Sequence, residues 1–308
     1  MTIQEKCRNF NTKIHDRMFR NNHFDASFGH YEQTFISIDQ IEDCQDAIDE
    51  FKKLVRNEQR RSILSIYGVL QAFFGQQDGL FYLFRSISNK QKLKSADFFR
   101  GYELISKIRE VRNDIVGHPS NRKGGKEFYF IDKGPNSKFE FEYGGYKPEF
   151  VRMKVDLQKF IVKQEQFAHQ VLDNLNELVL ENIELHKKEF KMIKLYDLIS
   201  GLNYAIQLMK RGYHDEHRGF QAEWGISEVN DKLLKFQEEL NKRFNDEIPA
   251  GIEDTLRIIH YILEKMKIWH EKNELLDNDD AEIFMYAFDY QFESLEQMAK
   301  EVDSEYEL

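Results

Sequence analysis

Arg112 and His118, within the run EVRNDIVGHPSNRKGG (110–125), are the residues of this chain whose types and spacing point to chemistry. A guanidinium offers a planar fork of donors that matches phosphate oxygens, and an imidazole takes up or gives a proton near neutral pH. Around one phosphodiester the pair suffices in principle for metal-free RNA cleavage. The imidazole takes the 2′-hydroxyl proton or protonates the leaving 5′-oxygen, while the guanidinium holds the charge growing on the phosphoryl oxygens. One imidazole cannot comfortably do both jobs in a single step, so a second copy across a twofold axis is expected. Asn113 stands beside Arg112 as a polar helper. Arg109, Arg122, Lys123 and Lys126 are candidate grips on the RNA backbone, and the stretch after His118 reads equally well as a solvated turn.

A helix must end between the two residues for them to meet. Capped by Ser95 or Asp97, a predicted helix carries Phe98, Ile105, Ile108, Ile115 and Val116 on one side of a 100° wheel. Arg112 lies near the middle of that side and Asp114 on the opposite face. Gly117 followed by Pro119 reads as the stop, with glycine in left-handed backbone and proline unable to continue the ladder. A guanidinium left unpaired in an apolar stripe is costly, and the about 0.3 to 1 kcal/mol offered by helix C-terminal carbonyls falls short of compensating. A solvent-filled groove, a carboxylate from another helix or a bound phosphate must supply the rest. Gln77 and Asp78, in a polar break that begins at Gln76, are candidates to orient Arg112 across the bundle.

The surrounding chain reads as all-α with one interruption. Four prolines and 16 glycines in 308 residues leave long stretches unpunctuated. Residues before about 30 are a loose arm or short helices. Apolar residues then recur every three or four positions over 35–55, with Ile41, Cys44, Ile48 and Phe51, and over 58–87, from Ile63 to Phe84. Over 126–155 the period drops to two, as Phe128 and Phe130, then Phe139, Phe141 and Tyr143, then Phe150 alternate around KGPNSK and YGGYKP. That predicts a small β-hairpin or meander. Its rings are of the kind that stacks on bases, but alternation assigns half of them to packing. One very long helix, or two end to end, follows from 157 to about 195, interrupted only by Gln164. Further helices are predicted over about 196–211, 227–246, 251–271 and 280–301. The expected organisation is a helical domain over 1–195 that contains the β insertion, then a C-terminal helical region over 196–308 with an acidic tail.

Charge and composition bound the partners. The net charge of −10 comes from the tail: residues 271–308 hold 13 acidic and 2 basic residues, whereas residues 85–126 hold 11 Lys/Arg against 4 Asp/Glu. A phosphate-bearing partner is therefore allowed. The start MTIQEKCRNFNTK lacks the apolar run of a signal peptide, and no stretch approaches the roughly 18 apolar residues of a membrane span, so a cytoplasmic protein with no membrane partner is expected. Cys7 and Cys44 read as reduced, structural thiols. His214, Asp215, Glu216 and His217 look like metal ligands, yet two histidines in a charged loop read first as exposed, and no metal or other cofactor is expected.

Arg112, a polar Asn113 next to it, and His118 after five intervening residues resemble the signature of the HEPN superfamily: Arg, four to six residues, then His. The resemblance extends over the helical core from about Phe35 to Leu185, including YGVLQAFFGQQDGL, and does not cover the C-terminal third. It implies an HEPN-like helical bundle that dimerises through its motif-bearing helices, with Arg112 and His118 catalytic and Asn113 assisting. It further implies a metal-independent endoribonuclease acting on RNA in phage defence or a toxin–antitoxin setting, where an antitoxin or defence-system partner would be met. The alternative within the family is a catalytically inactive module that binds nucleotide, RNA or protein. Some HEPN toxins carry, two residues past the His, a Tyr that a partner nucleotidyltransferase modifies. Ser120 stands there in this chain, so that mode of neutralisation is not expected.

Overall fold

The computed structural model describes residues 1–24, 30–57, 62–132, 139–214 and 219–307. They form a mostly helical fold with one small sheet and divide into two compact units, Met1–Glu181 and Asn182–Leu308. The division falls inside a single long helix, α7 (Leu157–Phe190), rather than at its end. Among the described residues no helix is long and apolar enough to cross a membrane.

The first unit opens with α1 (Ile3–Ile14) and α2 (Arg17–His23) in the region read as an arm or short helices. Thr2 and Glu5 form a reciprocal capping box on α1, which satisfies orphan backbone donors at its start. Ile3, Cys7, Phe10 and Ile14 then form its buried face. Two longer helices, α3 (His30–Asn57) and α4 (Ile63–Ile87), pack closely against each other. Their approach depends on Gly75 and Gly79, one turn apart: an added Cβ would stand 2.8 Å from Cys44 Sγ at the first and 3.0 Å from the Ser37 carbonyl oxygen at the second. Ser62 caps α4 by accepting from the Ser65 N–H at 3.0 Å.

The single helix predicted to carry the motif is two. A short α5 (Ser95–Phe98) ends before Gly101, whose φ of +87° breaks the chain, and α6 (Glu103–Arg112) starts afresh. Neither Ser95 nor Asp97 caps it. Asp97 pairs with Arg100 instead. The helix also does not run to Gly117, because at Asn113–Gly117 the backbone widens into a π turn.

Next come β1 (Phe128–Ile131), β2 (Glu140–Tyr146) and β3 (Phe150–Asp156), an antiparallel meander in that order, as the period-two pattern predicts. The last strand runs directly into α7. Phe141, Tyr143, Tyr129 and Val155 are buried, while Phe128, Phe130, Tyr146 and Phe150 lie on the other, exposed face. Phe167 of α7 meets Phe98, Phe99 and Tyr102, which closes the core beside α6.

The second unit consists of the end of α7 with α8 (Leu195–Ile199), α9 (Asn203–His214), α10 (Gly219–Phe244), α11 (Ala250–Glu271) and α12 (Asp279–Glu305). At its centre Arg243, 1% exposed, donates to Asp303 at 3.2 Å and to the carbonyl oxygens of Phe190 and Ile193. Asp303 in turn accepts from the backbone N–H groups of Leu195 and Tyr196 at 2.8 and 2.9 Å. This buried pair satisfies the carbonyls that end α7 and the amides that begin α8, a use of charge that its burial requires.

Candidate functional site

The site is built where α6 gives way to the π turn. In this turn the Asn113 carbonyl oxygen accepts from the His118 N–H, five residues on, at 3.1 Å. The Asn113 side chain meanwhile accepts through Oδ1 from Arg112 Nη1 at 3.1 Å. One residue thus ties both motif positions, the guanidinium through its side chain and the histidine through its backbone. Insertions of this kind inside α-helices recur at functional sites because they re-aim the side chains around them.

Arg112 resolves its place on an apolar stripe without a carboxylate. Its guanidinium lies over the Phe74 ring at 4.2 Å and donates from Nε and Nη2 to Gln71 Oε1, at 3.0 and 2.8 Å. With the Asn113 bond, three of its five N–H groups are engaged among the described residues, which leaves two for a ligand. Burial, and next the neighbouring Arg109 cation, pull this guanidinium below the ordinary arginine value, against the opposing pull of Asp78. The head folds forward onto Gly117, where an added Cβ would stand 3.0 Å from Nη1. Gly117 is therefore required for space. Its φ lies outside the left-handed region, so the expected reason for a glycine there is corrected.

His118 is the next residue, and it is exposed. Its imidazole makes no hydrogen bond or ion pair with the described residues. It is free to meet a ligand.

No family model, curated protein or solved structure matches the chain.

Gln77 and Asp78 contact Arg109 rather than Arg112: Arg109 Nη1 donates to Asp78 Oδ1 at 2.8 Å and to Gln77 Oε1 at 3.4 Å, and its head lies over Phe74 and Phe99. Arg109, read as a phosphate grip, is committed to this cluster one turn before the motif. Arg122 donates through Nε to Asp114 Oδ1 at 2.8 Å, and Lys123 pairs with Glu127 at 2.8 Å. Lys126 is exposed and alone of the four has no partner among the described residues. His214 begins a stretch whose next residues, Asp215, Glu216 and His217, lie outside those described. Among the described residues no cluster of three or more His, Cys, Asp or Glu is arranged to hold a metal ion.

Three features escape the helical wheel. Asp114 does face away from Arg112, but it is only 4% exposed, because the sheet covers it: besides Arg122, the Tyr143 hydroxyl donates to it at 3.4 Å. Burial and this carboxylate raise the Tyr143 phenol above the usual tyrosine value. Gln71 reads in sequence as an ordinary exposed helical position, and only the pairing of α4 with α6 shows what it holds.

The polar break at Gln76–Asp78 belongs to a third feature, a buried chain of amides. Arg109 donates to Gln77, Gln77 Nε2 to Gln164 Oε1 at 2.8 Å, Gln164 Nε2 to Gln76 Oε1 at 2.9 Å, and Gln76 Nε2 to Gln45 Oε1 at 2.9 Å. Gln45 Nε2 donates in turn to Glu165 Oε1 at 3.0 Å, and Glu165 is bound by Lys52. Every donor points the same way, from a guanidinium to a carboxylate, so each bond polarises the next. The chain fixes α3, α4, α6 and α7 in one register, and Gln164 is its signal in the sequence.

Proposed function

We propose that this chain is a metal-independent endoribonuclease of the HEPN type that works as a homodimer on RNA, in a phage-defence or toxin–antitoxin setting, with Arg112 and His118 catalytic and Asn113 positioning both. The observation that carries the reading is the placement of the Arg112 head against Gly117, one residue from the exposed His118, with two Arg112 N–H groups and the imidazole unengaged among the described residues. That is the donor set and the proton carrier that a phosphodiester requires.

In the proposed step His118 takes the proton of a ribose 2′-hydroxyl, whose oxygen attacks the adjacent phosphorus. The bond from phosphorus to the 5′-oxygen breaks, and His118 of the partner subunit protonates that oxygen. The products are a 2′,3′-cyclic phosphate and a 5′-hydroxyl end. Arg112 donates to the phosphoryl oxygens as their charge grows. Docking of a second copy beside the site is supported by an apolar strip on α4, where Leu64, 79% exposed, Tyr67 and the open Gly68 lead to Gln71.

A second reading, an inactive nucleotide-binding, RNA-binding or protein-interaction module, draws on the commitment of Arg109, Arg122 and Lys123 to protein carboxylates, which leaves fewer cations for a backbone. Purified protein mixed with RNA in EDTA separates the two. Cleavage that survives chelation and is lost in both Arg112→Ala and His118→Ala supports the enzyme. Binding without cleavage supports the module.

A further inference from the structure

We infer that the outer face of the meander is a stacking platform for unpaired bases, which makes single-stranded RNA the substrate class of the site; this rests on the nuclease reading above. Phe128, Phe130, Tyr146 and Phe150 share this face, each between 45% and 52% exposed. Register sets them in adjacent rows, with Phe128 opposite Tyr146 and Tyr146 opposite Phe150, while Phe130 stands opposite Gly144. The rings of Phe130 and Phe150 lie 20° from parallel with centroids 6.2 Å apart, and both lean over Gly144, where a Cβ would stand 2.6 Å from the first and 2.9 Å from the second.

Covering that glycine accounts for two of the rings. Phe128 and Tyr146 remain exposed with no such task, and four open rings on so small a sheet form a patch rather than scattered surface residues.

The first strand of the meander adjoins the motif. The Tyr129 N–H donates to the Pro119 carbonyl oxygen at 2.8 Å, so the end of β1 that carries Phe128 is tied to the residue after His118. Lys126 borders this end with no ion pair among the described residues, near the exposed Glu149, while the Lys147 ammonium lies over the ring of the buried Tyr129 at 5.2 Å. The acidic groups at the far end are paired, Asp132 and Glu142 with Arg152 and Glu140 with Lys154. Open rings beside the unpaired ammonium of Lys126 match a single strand that offers π faces and phosphates together, whereas a duplex keeps its bases stacked away. An apolar protein surface would match the rings but not the lysine.

The test is fluorescence anisotropy with a labelled 2′-O-methyl oligoribonucleotide, which cannot be cleaved because it has no free 2′-hydroxyl. Four proteins are compared at full length: wild type, Phe128→Ala, Phe128→Ala/Tyr146→Ala, and Phe130→Leu/Phe150→Leu, the last keeping apolar cover over Gly144. Circular dichroism melts accompany each. We expect wild type to bind the single strand, and Kd to rise about tenfold for each ring lost, in the folded Leu variant as well as the Ala variants. A duplex and an abasic strand of equal charge are expected to bind more weakly than the base-bearing single strand.

Unchanged binding in the Leu variant, or equal binding of duplex or abasic strand, overturns the inference. So does conversion of a dimer to a monomer by the Leu variant in sedimentation, which would make the face a contact between copies. Loss of the platform with Arg112- and His118-dependent cleavage intact sinks this inference alone. Stacking that persists without cleavage sinks only the nuclease.

Discussion

Gly117→Ala separates the chemistry of the site from its stability. The added methyl would lie 3.0 Å from Arg112 Nη1 and 3.5 Å from Asn113 Oδ1. Ordinary contact distances begin near about 3.5 Å, so the guanidinium must withdraw by about 0.5 Å. Its 3.1 Å bond to Asn113 is strained or lost in the process. Misplacement of a catalytic group by about 1 Å costs about a hundredfold in rate, so about tenfold is expected here in kcat. The fold should not suffer, because the backbone of Gly117 lies outside the left-handed region. An alanine in compatible backbone contributes about 0.4 to 1 kcal/mol through the unfolded state, which offsets the tight contact. The assay is hydrolysis of a fluorogenic RNA in EDTA, run beside a thermal melt of the same preparation. A tenfold loss of kcat with an unchanged or higher Tm is expected. Full activity would refute the role given to the guanidinium's position, and a collapsed Tm would reduce the effect to unfolding.

Three further outcomes are expected of the scaffold. Gln164→Leu strands the Gln77 Nε2 donor and the Gln76 Oε1 acceptor in the interior, so urea denaturation should show a loss of about 2 to 4 kcal/mol, and a loss under about 0.5 kcal/mol would contradict the amide chain. Arg243→Met leaves Asp303 buried without its cation and is expected to cost about 3 to 5 kcal/mol, read from the same denaturation curves; near-neutrality would mean the two backbone amides suffice for the carboxylate. Burial lowers the His260 pKa below its ordinary 6.5, and its Nε2 has no partner among the described residues. The unfolded chain therefore binds the extra proton first, and His260 contributes stability above pH 6.5 that is lost as pH falls through that value toward its folded pKa. His260→Leu should flatten this part of the Tm profile between pH 7 and 5, and an unchanged slope would sink the assignment.

What the sequence made legible follows from periodicity. The meander, α7, α11 and α12 are visible because their apolar residues repeat at two or at 3.6, and packing then obeys the pattern, whereas the helix expected over 196–211 is two, α8 and α9, and α10 begins at Gly219 rather than at 227. Gln164 is conspicuous in sequence as the lone polar interruption of the α7 stripe, but its partners Gln76 and Gln77 lie more than 80 residues away, and nothing local joins them. The sequence pattern at Arg112 and Gly117 explains those residues only in part. A wheel at 100° per residue continues through 113–117, whereas the backbone there takes a π turn that shifts every later position. That turn is held by the Asn113–His118 backbone bond and by the burial of Asp114 under Tyr143 and Arg122, contacts contributed by a sheet and a loop that the helix's own residues do not encode. The division inside α7 was also hidden, since an amphipathic stripe carries no mark of where the surface it packs against changes.

The most direct test of the proposed chemistry is the identity of the ends left on an RNA of defined sequence after incubation with the full-length protein in EDTA. Expected are a 2′,3′-cyclic phosphate on one fragment and a 5′-hydroxyl on the other, formed by wild type and by neither Arg112→Ala nor His118→Ala. Intact RNA under every condition, 3′-hydroxyl and 5′-phosphate ends, or cleavage that persists in the His118→Ala protein would contradict it.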